Sequence, residues 1–285
     1  MTKILTGKEV KKSIQQNIQE KIEALNKQDI YPKLAIVRVG KREDDIAYEK
    51  NIIKNCHQMK IETHLCHLDL NISLEEFKRE IGALNDNDDI HGILIFRPLP
   101  IQLPQEIVKY LVSPEKDIDC MHPINLGKVF EGELDGLVPC TSKAVIEILK
   151  YYEIPLAGSN VIVINSSVVV GKPLAMMLIQ DGATPTICHS KSKDIQGITT
   201  NADIIVTAIG KPKFFDEKYF SQEAIVIDVG INADEEGSIC GDVDYNKVVD
   251  IVAGITPVPN GVGTVTTTLL LENLVKAAYI IKGVQ

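Results

Sequence analysis

Long basic blocks are missing from this sequence of 285 residues. Its 30 lysines and arginines stand against 39 acidic residues, a net charge of −9. A nucleic-acid backbone is held by clustered cations, which excludes nucleic acid as a partner. Also missing is any apolar run long enough to span a bilayer, which excludes a membrane-embedded chain. The opening Met1-Thr-Lys-Ile-Leu-Thr-Gly-Lys8 lacks a signal peptide's apolar stretch, and Lys11 and Lys12 follow at once. Cysteine is sparse: six are scattered along the chain, a usage expected of reduced thiols rather than a disulfide framework. A cytoplasmic protein is expected. Tryptophan is absent, and no repeat or low-complexity tract is present. What is there is a 45% hydrophobic, 24% charged composition, which excludes disordered, collagen-like and rod-like chains. The length exceeds what one ordinary core needs and predicts two domains or one large α/β unit.

Element signals alternate. Val10, Ile14, Ile18, Ile22 and Leu25 form a helical stripe over 8–25. Leu34 to Val39 is a β-branched run closed by Gly40, a buried strand. A helix over 46–59 and a strand over 62–68 follow, then Ser73-Leu-Glu-Glu76, a capping box that opens a helix to about Asn85. His91 to Phe96 reads as a strand halted by Arg97-Pro-Leu-Pro100. From Val112 to Cys140 prolines and glycines are too frequent for regular elements, which predicts irregular chain. The alternation restarts with a helix over 141–152 and strands at 160–164, 184–188, 203–209 and 224–229, and closes with a helix over 269–282. The fold class expected is α/β in two lobes, the second a doubly wound parallel sheet.

That second lobe has the layout of a nucleotide site. Strand 161–164 turns through Asn165-Ser-Ser-Val-Val-Val-Gly171-Lys-Pro173 into a helix, and such a turn offers free backbone N–H groups to an anion. The usual glycine-rich fingerprint is missing, and an ordinary strand–turn–helix corner fits the same residues. Two further strand ends carry glycine, in Ile209-Gly210 and Asp228-Val-Gly230-Ile231-Asn232. Ligands bind at the carboxyl ends of such strands. Ile255-Thr-Pro-Val-Pro-Asn-Gly261-Val-Gly-Thr-Val-Thr266 fixes a tight path that a mere linker would not need.

Over nearly its whole length the chain resembles the methylenetetrahydrofolate dehydrogenase/cyclohydrolase family. The resemblance is carried by Val39-Gly40 with Tyr48, Gly92-Ile-Leu with Pro98-Leu-Pro100, Pro114-Glu-Lys-Asp-Ile-Asp119 and His122-Pro-Ile-Asn125. In the second half it is carried by Pro139-Cys-Thr141 with Lys143, Cys188-His-Ser190, Asp228-Val-Gly-Ile-Asn232, Gly241-Asp-Val243 and Thr256-Pro-Val-Pro259. It implies a folate-binding catalytic domain over 1–140, joined by the C-terminal helix 269–285, and a Rossmann-like NAD(P)-binding domain over 141–268. It also implies an active site in the cleft between them, a homodimer, and a tetrahydrofolate derivative as substrate. Members oxidise methylene- to methenyltetrahydrofolate with NAD(P)+ and then hydrolyse the product to the formyl compound. Tyr48 and Asp119 are implied as catalytic residues. Tyr48, Phe96, Pro98, Asp119, Pro259 and Gly261 are implied on the substrate side. The cofactor side is implied to use Asn165, Ser166, Ser167, Val170, Gly171, His189, Ser190, Ile209, Gly210, Gly230, Ile231 and Thr266. No metal is implied.

Two departures bear on the chemistry. The family pattern has a Ser three residues before the Tyr and a Lys four after it; this chain has Asp45 and Ile52. Lys50 and Lys54 flank position 52 but point off its helix face. Phe96 stands where the family usually has the Gln that bonds the Lys. Ile with Phe is what a buried polar pair becomes when neither partner is left orphaned. Hydride transfer needs positioning but no proton from the protein. Hydrolysis of the methenyl cation needs acid–base help, typically worth ~10²–10⁴-fold, which isoleucine cannot give. A dehydrogenase with cyclohydrolase activity weak or lost is expected. The alternatives are a fully bifunctional enzyme using Asp45 or Arg97, a non-catalytic folate or nucleotide sensor, and a dehydrogenase for another small substrate.

Coenzyme signals oppose each other. Ser166 replaces a family Arg that would fork a ribose 2′-phosphate. Yet Cys188-His189-Ser190 offers no carboxylate for ribose hydroxyls, and Ser190, Lys191 and Lys193 could hold a phosphate. The balance tips to NAD over NADP. His64-Leu-Cys66-His67 imitates a metal cluster, but strand geometry splits it across two faces. Cys140 and His122 read as packing and loop-shaping residues, Asp117 equally as a loop residue or a functional one, and Arg97 as a site for an anionic tail or a solvated loop residue.

Overall fold

The computed structural model describes residues 1–284. Gln285, with which the expected C-terminal helix ends, lies outside the described residues. Contacts divide the chain into two units, one built from residues 1–13 with 139–266 and the other from 14–138 with the chain from 267 onward. No described helix is long and apolar enough to cross a membrane.

The chain opens with strand β1 (Lys3–Ile4) and helix α1 (Gly7–Asn26). The stripe Val10, Ile14, Ile18, Ile22 and Leu25 is buried along its whole length. Next come β2 (Lys33–Val39), α2 (Glu43–Gln58), β3 (Glu62–Leu68), α3 (Leu74–Asn85) and β4 (Gly92–Ile95). The three strands are parallel in the order β3-β2-β4. Short crossovers of helical chain are what parallel neighbours require. The capping box is present: the Glu76 N–H donates to Ser73 Oγ at 3.2 Å, and the Ser73 N–H donates to the Glu76 carboxylate at 3.1 Å. Ala35 and Val37 of β2, Ile93 of β4, and Phe77, Ile81 and Leu84 of α3 share one buried core. Each of the larger side chains among these, withdrawn from water, stabilises the unit by ~1.5–3 kcal/mol.

The stretch 112–140, expected to be irregular, is not so throughout. After the one-turn helix α4 (Gln105–Val108) it contains α5 (Pro123–Glu131). His122 caps α5 through Nδ1, which accepts from the Ile124 N–H at 3.1 Å, and Gly132 ends it at φ 86°. Proline in the first turn costs nothing, since that N–H has no helical partner, and left-handed glycine is a common terminator. Of the residues that read as breakers, Pro123 and Gly132 are the boundaries of a helix, and Gly127 lies inside it.

The other unit holds α6 (Cys140–Tyr151), β5 (Asn160–Ile164), α7 (Gly171–Gln180), β6 (Thr184–Cys188), α8 (Ile195–Thr199), β7 (Ile204–Thr207) and β8 (Ile225–Asp228). The hairpin β9 (Asn232–Ala233) and β10 (Ile239–Cys240), α9 (Tyr245–Val248) and β11 (Gly254–Ile255) complete it, before α10 (Val262–Lys282). Its sheet is six-stranded and parallel throughout, in the order β1-β11-β8-β7-β5-β6. Residues 1–13, expected with the first domain, go with this sheet instead. The cause is β1: the Lys3 and Leu5 N–H groups donate to Ala253 and Ile255 carbonyls, each at 2.8 Å. Helix α10 begins at Val262, ahead of the expected Leu269, so Thr266 lies in its first turns and not in a loop.

Candidate active site

In the three-stranded unit, α2 buries Asp45, Glu49, Ile52 and Cys56, a stripe at helical spacing. Two carboxylates on a buried face need partners. Glu49 has them: Arg38 Nε donates to its Oε2 at 3.0 Å, and His67 Nε2 lies 2.9 Å from the same oxygen. This triad answers the His64-Leu-Cys66-His67 question for His67, and no group of metal-binding side chains exists among the described residues. Ile52 is fully buried, while Lys50 and Lys54 are exposed, as their helix positions require. Tyr48 stays 43% exposed at the edge of the stripe, with the buried Phe96 ring 5.3 Å from its own.

Beyond Phe96 the chain passes Arg97 and a cis bond to Pro98. These two residues line a cavity of about 370 Å³ with Asp117 and Asp119. Its remaining wall is chiefly apolar, with Ile93 and Ile95 from the sheet and Val108 and Val112 opposite. The two aspartates, one residue apart, do different work. Asp117 accepts from the Met121 and His122 N–H groups at 3.1 and 2.7 Å and from Asn125 Nδ2 at 3.0 Å, so it shapes the entry to α5. Asp119 accepts from Arg97 Nη2. Burial pushes the Asp119 carboxyl up to about 6, with Asp117 adding to the rise and Arg97 opposing it, although 31% of the side chain stays open to the cavity. Arg97 is thus neither a solvated loop residue nor a free cation. Pro98 and Asp119 share this cavity; Tyr48 and Phe96 form a ring pair outside its wall.

In the six-stranded unit the expected cofactor residues other than Thr266, which lies in α10, collect at or just after adjacent strand ends. Asn165 ties the turn after β5: its Oδ1 accepts from the Ser167 and Gly171 N–H groups at 2.9 and 3.0 Å, and its Nδ2 donates to the Ala208 carbonyl after β7. The strand order reverses direction between β5 and β7, the crevice where open α/β sheets take ligands. A side chain at Gly171 would sit 1.8 Å from the Asn165 carbonyl, so only glycine allows this approach. Ser166, Ser167, His189 and Ser190 are exposed after β5 and β6, and Val170 caps α7. Ile209, Gly210, Gly230 and Ile231 follow β7 and β8. The Ile209–Lys211 loop hangs on Asp242, which accepts from the Ile209 N–H, from Lys211 N–H at 2.9 Å and from Asn232 Nδ2 at 2.9 Å. Asp242 is a residue the sequence reading passed over; its only signal was a place in Gly241-Asp-Val243. Pro259 follows a second cis bond, and Gly261 abuts the Pro257 carbonyl, where a Cβ would lie at 2.4 Å.

The catalytic-domain pattern of the tetrahydrofolate dehydrogenase/cyclohydrolase family matches residues 5–119, and that family's NAD(P)-binding domain matches 139–282. The chain belongs to this family. The relatives of this folate-enzyme family include "Bifunctional protein FolD 1" of Desulfitobacterium hafniense, 53% identical over 97% of the chain and 99% of that protein. "Bifunctional protein FolD" of Clostridium botulinum is 54% identical over 98% and 99%. Among solved structures, the bifunctional methylenetetrahydrofolate dehydrogenase/cyclohydrolase of Campylobacter jejuni superimposes with a TM-score of 0.95, at 38% identity, covering 98% of this chain and 99% of that one. A two-domain α/β fold with a parallel sheet is what the family shares with this chain.

Proposed function

We propose that this member oxidises 5,10-methylenetetrahydrofolate to 5,10-methenyltetrahydrofolate by hydride transfer to NAD(P)+, with cyclohydrolase activity weak or lost. One observation carries the second half: Ile52 is fully buried and Phe96 packs on Tyr48, so the two positions that in the family pattern bear Lys and Gln carry no titratable side chain. Arg97, a possible substitute, is already held by Asp119. Tyr48 lines the folate side with Phe96 and Pro98, Asp119 accepts from the pterin edge, and Pro259 and Gly261 complete that side. NAD(P)+, when bound, supplies the hydride acceptor. The close Gly171 approach leaves room for the coenzyme over the turn after β5. The Ser167, Val170 and Gly171 N–H groups of that turn are already taken by the Asn165 and Ser167 side chains, so they are not the free amides the sequence leads one to expect. Ser166, Ser167, Val170, His189 and Ser190 hold the ribose side, and Ile209, Gly210, Gly230, Ile231 and Thr266 the nicotinamide side. The coenzyme is NAD in preference to NADP, since the Asn165-Ser-Ser167 turn has no guanidinium for a 2′-phosphate. The enzyme works in the cytoplasm as a homodimer, and a separate hydrolase consumes its methenyl product.

The test follows methenyltetrahydrofolate absorbance. Formation is expected with methylenetetrahydrofolate and NAD+, more slowly with NADP+, with no decay of the methenyl compound above the buffer rate. Decay well above that rate overturns the loss of cyclohydrolase, and no formation with either coenzyme overturns the dehydrogenase. Restoring the polar pair together, Ile52→Lys with Phe96→Gln, is expected to raise methenyl hydrolysis by ~10²-fold or more.

A further inference from the structure

The ion pair in the cavity is only half used. Arg97 Nη2 donates to Asp119 Oδ2, but Oδ1 of Asp119 accepts no hydrogen bond among the described residues. The same holds for Nε and Nη1 of Arg97 as donors. None of these atoms is sealed from solvent, and the two side chains are 26% and 31% exposed. The cavity lining therefore presents an open acceptor beside open donors, while the rest of it is chiefly apolar, with Gln105, Glu106, Lys109 and Asp117 as its other polar members. Such a pocket suits a flat ring with one polar edge. A carboxylate alone would match an edge made only of N–H groups. A guanidinium beside it adds a donor for a neighbouring carbonyl oxygen, and the pair is neutral, so an uncharged ring enters without stranding a buried charge.

We infer that Arg97 determines substrate specificity: with Asp119 it reads the 2-amino-4-oxo edge of the pterin, Asp119 accepting from the amino and ring N–H groups and Arg97 donating to the 4-oxo oxygen. This rests on the folate reading above. Arg97 does not serve the anionic glutamate tail, because a tail carboxylate on its open donors would sit beside the like-charged Asp119 carboxylate, and a second anion would leave the pair's charge unbalanced inside the cavity. The charged groups acting on Asp119 are Arg97 from the β4 loop and Asp117 from its own loop, and the cavity is further lined by Glu106 and Lys109 from the α4 segment. Arg97 thereby also keeps Asp119 ionised against Asp117 and burial.

The experiment compares wild type with Arg97→Leu, Arg97→Lys and Asp119→Asn, each first checked by thermal melting. Binding of pteroic acid, pteroylmonoglutamate and pteroyltriglutamate is measured by calorimetry, and kinetics with methylenetetrahydrofolate and NAD+. Arg97→Leu is expected to weaken all three ligands alike and to raise the folate KM by ~10–100-fold, the size of a lost charged hydrogen bond. The NAD+ KM should stay within about 2-fold, since Arg97 lies in the three-stranded unit. The acid fall in kcat/KM, near pH 6 in wild type, should move upward, and Arg97→Lys should recover part of the loss. Weakened binding of the triglutamate alone would overturn the inference in favour of a tail site, and unchanged binding of all three would make Arg97 a bystander. If Asp119→Asn also leaves folate kinetics intact, the folate reading of this cavity fails; if only Arg97→Leu does, the fault lies with Arg97 alone.

Discussion

Each unit contains a carboxylate that burial pushes up to about 6, Asp119 in one and Asp228 in the other. At Asp228 the acceptor positions are filled. Its Oδ1 takes the Gly230 and Asp242 N–H groups at 2.9 and 3.1 Å and the Thr207 hydroxyl at 3.1 Å, and its Oδ2 takes the Val243 N–H at 2.8 Å. The backbone crowds it so closely that a Cβ at Gly241 would lie 1.9 Å from Oδ2. At Asp119 there is one partner and an open oxygen. A perturbed carboxyl therefore does not by itself mark a ligand site. What separates the two is vacancy: Asp228 ties two stretches of backbone and the Thr207 side chain together, whereas Asp119 keeps capacity for something else.

The comparison can be broken most sharply at Asp228. Asp228→Ala leaves four donors without an acceptor and is expected to cost about 3 kcal/mol or more in urea unfolding. A loss under about 1 kcal/mol would show that the network is not structural. Asp119→Ala should do the opposite, leaving unfolding nearly unchanged while kcat/KM for methylenetetrahydrofolate falls by ~10²-fold; a variant that unfolds with normal kinetics would reverse the contrast. The smallest effect is on pH dependence. A carboxyl with a folded pKa above its unfolded value of 3.8 holds its proton more tightly when folded, so it makes stability decline as pH rises from about 4 to about 6. Chemical denaturation at several pH values should show that decline in wild type and a flatter curve in Asp228→Asn.

Much of this architecture was readable from residue order. The α1 stripe, the Ser73 cap and the buried β-branched strands each follow from local periodicity, which packing reinforces. Two things were not readable. The helix over 123–131 hides behind Pro123 and Gly132, residues that break a helix in its interior but bound it at its ends. Pairings between distant residues leave no local trace: nothing at Arg97 announces Asp119, nothing at Glu49 announces Arg38 and His67, and Asp242 gives no hint of the loop that hangs on it. At the candidate site, Tyr48, Phe96, Pro98 and Asp119 fall in one unit, whereas Pro259 and Gly261, expected beside them, fall in the other with the cofactor-side residues. Side-chain partners such as Asp242 were not foreseen.

The strand at the very start of the chain sets a timetable for synthesis. Lys3 pairs with Gly254, so β1 leaves the ribosome roughly 250 residues before its partner, a wait of about 10–50 s at ordinary translation rates. Through that interval the opening residues have no sheet to join, and neither unit is a continuous stretch of polypeptide. A gene cut at the apparent boundary near residue 139 would therefore yield two incomplete products, and a nascent chain must reach its last quarter before its first strand can settle.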